Sequence, residues 1–231
     1  MAEENTGLLR PIRSFVLRTR RKTPSQERAY AELWPKYGLS IADGMLDYRQ
    51  LFGRESDVVF EVGFGMGDSL VAMALASPEQ DFIGIEVHTP GVGRILNLIE
   101  ENRLSNLRVY AEDAVQVLEQ CVADASLAKV QIFFPDPWHK KKHNKRRIVQ
   151  TGFVQLLHSR LKPAGIIHLA TDWENYAEQM MEVMSAAEGF VNMAGAKAFS
   201  PKPDFRPVTK FERRGQKLGH GVWDLLFRKV G

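Results

Sequence analysis

A single cysteine, Cys121, stands in 231 residues. One thiol excludes an internal disulfide framework and fits a reducing compartment. Long apolar runs are also missing, so no membrane span is expected. No hydrophobic stretch precedes the first arginines, so nothing there reads as a secretory signal. A cytoplasmic protein is therefore expected. The chain has no internal repeats and no low-complexity linker. With 44% hydrophobic residues it can build one sizeable core, and not clearly two. Net charge is small as well, +3. The cations are clustered, however, and clusters matter more than totals for a polyanionic partner.

One such cluster lies in residues 1–23, where Arg10, Arg13, Arg18, Arg20, Arg21 and Lys22 face only Glu3 and Glu4. Apolar periodicity is poor there. The segment reads as a flexible basic arm, either solvated or gripping a polyanion. Residues 24–231 read as the single folded domain. A short helix is expected over Ser25–Lys36, with Ser25 as its cap. The pattern over 39–54 is ambiguous.

From Asp57 the pattern becomes regular. Strands are expected at Val58–Val62, Phe82–Glu86, Leu107–Ala111, Val130–Phe134 and Ile166–Thr171. Between them lie helical patterns at 70–76, 91–102, 114–122 and 147–161, with a further helix at 174–187. Alternation at this spacing predicts an α/β fold: a doubly wound, mostly parallel, Rossmann-like sheet with helices on both faces. A strand within 190–198 and a last one over 222–228, antiparallel at the far side of the sheet, complete it.

The densest chemistry follows the fourth of these strands. The chain reads Pro135-Asp136-Pro137-Trp138, then His139-Lys140-Lys141-Lys142-His143-Asn144-Lys145-Arg146-Arg147. Two prolines stiffen the backbone around Asp136. An acid, an indole and six cations thus leave the carboxyl end of a strand, where open α/β sheets bind ligands. Cations alone would read as a solvated face; a rigid acid beside a large aromatic has no purpose in a bland turn. Trp138 is equally able to stack on a base or to pack. His139 and His143 are four apart, but four neighbouring cations and no clear third ligand argue against a metal. Cys121 and His168 are assigned to the core.

Gly63, Gly65 and Gly67 follow the first strand and precede a helix, as a nucleotide site requires. The spacing is G-x-G-x-G, which disfavours a nicotinamide dehydrogenase. Glu61 lies just before the turn. Glu86 ends the second strand, at the separation expected for a carboxylate on ribose hydroxyls. Asp113 follows the third, where an acid can take an adenine amino group. Such a ring of acids is a poor host for a pyrophosphate. It suits a cationic nucleoside such as S-adenosylmethionine.

Three segments together, Glu61–Gly67, Pro135–Arg147 and Thr209-Lys210-Phe211-Glu212-Arg213, resemble the bacterial tRNA (guanine-N7-)-methyltransferase family, in the right order and over nearly everything after about residue 30. His139 departs from the proline of many members. The resemblance implies a class I S-adenosylmethionine-dependent enzyme acting on a guanosine of the tRNA variable loop, usually position 46. It implies Asp136 as the catalytic residue, and Glu61, Gly63, Gly65, Glu86, Asp113 and Asp136 around the cofactor. Lys140, Asp172, Thr209, Lys210, Phe211 and Glu212 would hold the substrate nucleotide. Lys142, His143, Asn144, Lys145, Arg146 and Arg147 would contact RNA. The expected partner is tRNA, with no membrane and no metal, and the protein is expected as a monomer or homodimer. Two alternatives stay open: a non-catalytic RNA-binding module, which needs the basic tract but not the strand-end acids, and a methyltransferase acting on another base. An amino-methyltransferase would call for Asp-Pro-Pro-aromatic, and Asp136-Pro137-Trp138 lacks the second proline.

Overall fold

A computed structural model describes residues 14–15, 23–209, 212 and 221–231 of the chain. Lys210, Phe211 and Arg213, and most of the N-terminal arm, lie outside the described residues. Among the described residues seven α-helices surround one eight-stranded sheet. In chain order these are α1 (Pro24–Tyr37), β1 (Gly38–Leu39), α2 (Tyr48–Phe52), β2 (Val58–Val62), α3 (Asp68–Ala76), β3 (Asp81–Ile85), α4 (Thr89–Glu101), β4 (Leu107–Tyr110), α5 (Ala114–Gln120), β5 (Leu127–Phe133), α6 (Thr151–Arg160), β6 (Leu161–Thr171), α7 (Glu174–Ala186), β7 (Phe190–Asn192) and β8 (Trp223–Lys229).

The sheet order is β1-β4-β3-β2-β5-β6-β8-β7. All pairs are parallel except β6 with β8 and β7 with β8. The chain winds outward from β2 through β3 and β4, returns to lay β5 on the other side of β2, and winds outward again. The β2–β5 junction is thus the switch point, where the carboxyl ends of the strands leave a crevice. The antiparallel β8 is inserted between β6 and β7, so the sheet's far edge is β7 and not the last strand.

Both faces of the central strands are covered, which is why every residue of β2 and β3 is buried rather than every second one. Val58, Phe60 and Val62 point into a core shared with α5, α6 and α7; Val59 points into one shared with α1, α3 and α4. Ile95, Leu96 and Ile99 on α4 have no exposed surface. Each contributes roughly 1.5–3 kcal/mol by burial, and Ile95→Ala would cost about 2–5 kcal/mol.

Several boundaries differ from the sequence expectation. Helix α1 is capped by Thr23, not Ser25: Thr23 and Gln26 form a reciprocal capping box with Pro24 in the first turn. Helix α6 starts at Thr151, four residues later than its apolar pattern, because Arg147 is extended and turned inward. The ambiguous 39–54 stretch holds the end of the edge strand β1, a 3₁₀ turn at Ile41–Asp43 and the short helix α2.

Candidate active site

The crevice at the switch point is a cleft of about 380 Å³. Val62, Ile85, Ile132 and Phe133, from the ends of three strands, line it with apolar surface. Gly63 and Gly65 present backbone to it, and Glu86, Asp113 and Asp136 present carboxylates. Ser14 and Phe15 from the N-terminal segment also reach it.

The glycine turn is left-handed at Gly63, Gly65 and Gly67, with φ of 77°, 59° and 83°. Side chains rarely tolerate such backbone. The Glu86 carboxylate fixes the turn: it accepts Gly65 N–H at 2.8 Å and, on its other oxygen, His88 N–H at 2.9 Å. A carboxylate has about four acceptor positions, more than the backbone donors around Glu86 occupy. Burial raises the Glu86 pKa, against the pull of the backbone donors His88, Gly65 and Val87. Asp113 caps α5 through Val115 N–H at 3.0 Å, which aims its carboxylate along the cleft wall. Gly91, which no sequence pattern singles out, is what lets α4 lie against the turn. A Cβ there would stand 2.0 Å from the Gly65 carbonyl oxygen.

Glu61 is placed differently from the other acids. It is buried within β2, one residue below the cleft-lining Val62, and accepts Gln131 Nε2–H at 2.6 Å from its register partner on β5. Burial pushes its pKa up to about 7; the Gln131 hydrogen bond opposes this and the Glu86 charge adds to it. Glu61 therefore supports the floor and carries a proton readily near neutral pH.

Asp136 is exposed at the cleft mouth, on a loop held at unusual backbone angles. Phe134 has φ of 51° and Trp138 φ of 47°, costly conformations for bulky residues that flank the Pro-Asp-Pro step. Phe134 N–H donates to Ala170 O at 2.8 Å, tying the loop to β6. Because Phe133 and Ala170 are register partners, Asp136 and Asp172 leave adjacent strand ends, as expected from the order of the elements. His139 then packs nearly perpendicular to Trp173, with ring centroids 4.3 Å apart.

The basic tract divides in two. Lys141–Arg146 form a 3₁₀ helix rather than an open loop. Lys140, Lys141, Lys142 and Lys145 are exposed, whereas His143, Asn144 and Arg146 are half-buried. Trp138 is a packed residue: its Nε1–H donates to Ser14 O at 3.0 Å, the Arg146 guanidinium lies over its ring at 3.8 Å, and His143 meets it edge-on. Arg147, grouped by sequence with the RNA-contacting cations, is instead inside the protein at 2% exposure. Its guanidinium donates to Pro137 O at 2.8 Å, Asn175 Oδ1 at 2.9 Å and Gln179 Oε1 at 3.3 Å, over the Tyr176 ring. It clamps the Asp136 loop to α7, and these hydrogen bonds leave it no surface for a phosphate.

Glu212 is likewise turned inward. Both its oxygens accept from Arg206, at 2.7 and 2.9 Å, and Arg206 also grips Asp224 at 2.8 and 2.9 Å. Thr209 Oγ1 accepts Glu212 N–H at 3.0 Å. Burial alone would raise Asp224, but hydrogen bonds from His168 and Arg206 hold it below the carboxylate range. His168, lowered by burial, shares a 2.7 Å hydrogen bond with Asp224 through Nε2. Arg206 lies behind Phe134, 5.6 Å from its ring centroid. Nothing in the sequence marks this arginine, which sits in a proline-rich stretch that reads as loop.

Among solved structures, the 16S rRNA methyltransferase KamB matches with a TM-score of 0.59 at 15% identity, covering 81% of this chain and 95% of its own. The [4+2]-cyclase SpnF matches with a TM-score of 0.52 at 17% identity, covering 79% and 78%. One architecture thus carries different chemistries, and the likeness speaks for fold alone. A family profile described as "Putative methyltransferase" matches residues 55–225, and with the cleft at the switch point it defines the class: the chain is a methyltransferase of the doubly wound α/β type. A curated relative from Alcanivorax borkumensis, named tRNA (guanine-N(7)-)-methyltransferase, is 61% identical over 98% of this chain and 95% of its own. Relatives of the same name from Shewanella amazonensis and Escherichia coli are 58% and 57% identical, covering 98% and 99% of this chain and 95% of each relative. The chain belongs to the tRNA (guanine-N(7)-)-methyltransferase family.

Proposed function

We propose that this enzyme transfers a methyl group from S-adenosylmethionine to guanine N7 of tRNA, at guanosine 46 of the variable loop, in the cytoplasm. The observation that carries the reading is the cleft itself: an apolar floor at the β2–β5 switch point, rimmed by Glu86, Asp113 and Asp136, and opening beside exposed lysines. An acidic rim around an apolar slot fits a cationic adenosyl ligand, and the absence of a Cβ at Gly91 lets α4 pack directly against the glycine turn that presents its backbone to the slot. Bound there, S-adenosylmethionine supplies an electrophilic methyl.

The chain's own residues then have separable tasks. Glu86 holds the turn and offers its remaining acceptor positions to ribose hydroxyls, and Asp113 reaches toward the adenine side. Guanine N7 has a lone pair and no proton, so attack on the methyl needs no general base. Catalysis is by alignment. Asp136, on its stiff loop, is the carboxylate beside the reacting centre; it orients the guanine and stabilises the positive charge that the purine gains. Asp172, from the neighbouring strand end, holds the base. Lys140 and the outward lysines 142 and 145 take phosphates, with His143, Asn144 and Arg146 alongside. Thr209 and Glu212, with Lys210 and Phe211, complete the nucleotide site; Glu212 acts through the loop that Arg206 anchors. Residues 1–23 serve as a basic arm to a single catalytic domain, 24–231. Incubation with labelled S-adenosylmethionine and bulk tRNA, followed by nucleoside mapping, tests the reading. Label in 7-methylguanosine at position 46 is expected; label on another base, or none, refutes it.

A further inference from the structure

Trp138 is consumed by packing against Arg146, His143 and the Ser14 carbonyl, so its ring is not available to the face of the target base. Carboxylates at strand ends can read a purine's edge, but edge hydrogen bonds alone leave its plane free to tilt, and in-line attack needs that plane fixed. Trp173 directly follows Asp172 at the end of β6 and is 38% exposed, unusual for so large an aromatic. Its backbone N–H donates to Thr171 Oγ1 at 3.2 Å, and α7 begins at the next residue, so its main chain is held between strand and helix. Its indole meets the His139 ring, three residues beyond Asp136, nearly at right angles with centroids 4.3 Å apart. The indole's setting is thereby tied to the Asp136 loop on one side and to Asp172 on the other. Phe205, also exposed, instead carries the Lys129 ammonium over its ring, early in β5 and away from the strand's carboxyl end.

We infer that Trp173 is the stacking wall for the target guanine. The inference rests on the N7-methylation reading and deepens it. As methyl transfer proceeds, the N7 lone pair forms the new N–C bond, the C–S bond breaks with its electron pair going to sulfur, and the positive charge passes from sulfonium to purine. A purine that becomes cationic over an indole face gains cation–π attraction. The stack therefore strengthens toward the transition state, and removing it falls on the chemical step rather than on tRNA binding, which phosphates dominate.

The test uses full-length wild type, Trp173→Phe and Trp173→Leu. Single-turnover methylation is measured at saturating tRNA and S-adenosylmethionine, with tRNA affinity and thermal unfolding alongside. Trp173→Leu is expected to slow the single-turnover rate about 5- to 150-fold, the worth of one base–aromatic stack, with tRNA affinity within about threefold. Trp173→Phe should recover most of the rate. In the S-adenosylhomocysteine complex, 7-methylguanosine should quench tryptophan emission more than guanosine does in wild type, and that difference should vanish in Trp173→Phe. A wild-type rate in Trp173→Leu, or quenching that survives in Trp173→Phe, overturns the role of Trp173 while leaving N7 methylation intact. A wild-type enzyme that places no methyl on guanine N7 overturns the underlying reading and this one with it. If Trp173→Leu does not fold, the quenching in Trp173→Phe decides.

Discussion

Replacing Glu61 by glutamine should make the protein more stable above neutral pH, although it removes an ionisable residue beside the cleft floor. The carboxyl is fully buried in β2 and titrates at about 7 in the fold, against an ordinary value of 4.5. Between those values the folded chain binds the proton more tightly than the unfolded chain does. Stability therefore falls as pH rises through the window, and the penalty is complete above pH 7. At ~1.4 kcal/mol for each pH unit of the gap, the full effect is about 3 kcal/mol. Glutamine keeps an acceptor for Gln131 Nε2–H and has no charge to lose. Urea unfolding of both proteins at intervals from pH 5 to 8.5 reads the difference. At pH 5 the two should be close, with the variant lower by whatever its extra amide hydrogens cost. By pH 8 the variant should have gained up to about 3 kcal/mol on the wild type. A difference that stays constant across the range would mean that the Glu61 carboxyl does not titrate there, and would refute the argument from burial.

Other changes separate the parts of the site. Gly91→Ala should abolish S-adenosylmethionine binding in calorimetry, because its Cβ would meet the Gly65 carbonyl at 2.0 Å, while cooperative unfolding persists; wild-type affinity would show that the turn is not the binding element. Lys142→Ala with Lys145→Ala should lower the log–log salt slope of tRNA binding by roughly 0.7–0.9 for each phosphate these side chains neutralise, whereas an unchanged slope would mean the two lysines are merely solvated. Arg147→Ala should leave that slope alone yet cost at least ~2 kcal/mol in stability, since it removes hydrogen bonds from a buried charged group; a flattened slope with unchanged stability would return Arg147 to the RNA surface. Asp136→Asn should cut single-turnover methylation far more than it weakens tRNA binding, and a near-wild-type rate would shift the role to Asp172.

The sheet and its cleft are legible in the sequence because their signals are local and periodic. The runs Val58–Val62 and Phe82–Ile85 are apolar but for Glu61, the glycines recur where the backbone is left-handed, and the acids of the cleft sit at strand ends. The rest depends mostly on residues distant in sequence. Gly91 matters only because the Gly65 carbonyl arrives from 26 residues earlier. Arg206 binds Asp224 and Glu212, a pairing that no periodicity announces. Trp173 gains its setting from His139, which reaches it from the neighbouring strand's loop. The Thr23 cap is the exception, since its partner Gln26 is three residues away and Pro24 follows it directly; Ser25 is also a capping residue type, and taking it as the cap sets the expected start too late.

Arg147 carries the most general lesson about the basic tract. A run of cations invites a single explanation, phosphate binding, yet the guanidinium of Arg147 serves the opposite surface. Its hydrogen bonds hold the Pro137 carbonyl against Asn175 and Gln179 of α7. Arg206 does the matching work on the other side, gripping Glu212 and Asp224 behind Phe134. The loop bearing Asp136 is strained at Phe134 and Trp138, and such backbone persists only when its surroundings over-determine it. Two buried arginines, one near each end of that loop, supply the determination. Arginine suits the task better than lysine, since its planar fork can hold several acceptors in fixed directions. The exposed lysines, compact and strongly hydrated, are left to meet the RNA of the proposed reaction. The tract is thus divided: the Arg147 guanidinium points inward and fixes the Asp136 loop, whereas the lysine ammonium groups stay exposed, where the proposed reaction would meet its RNA.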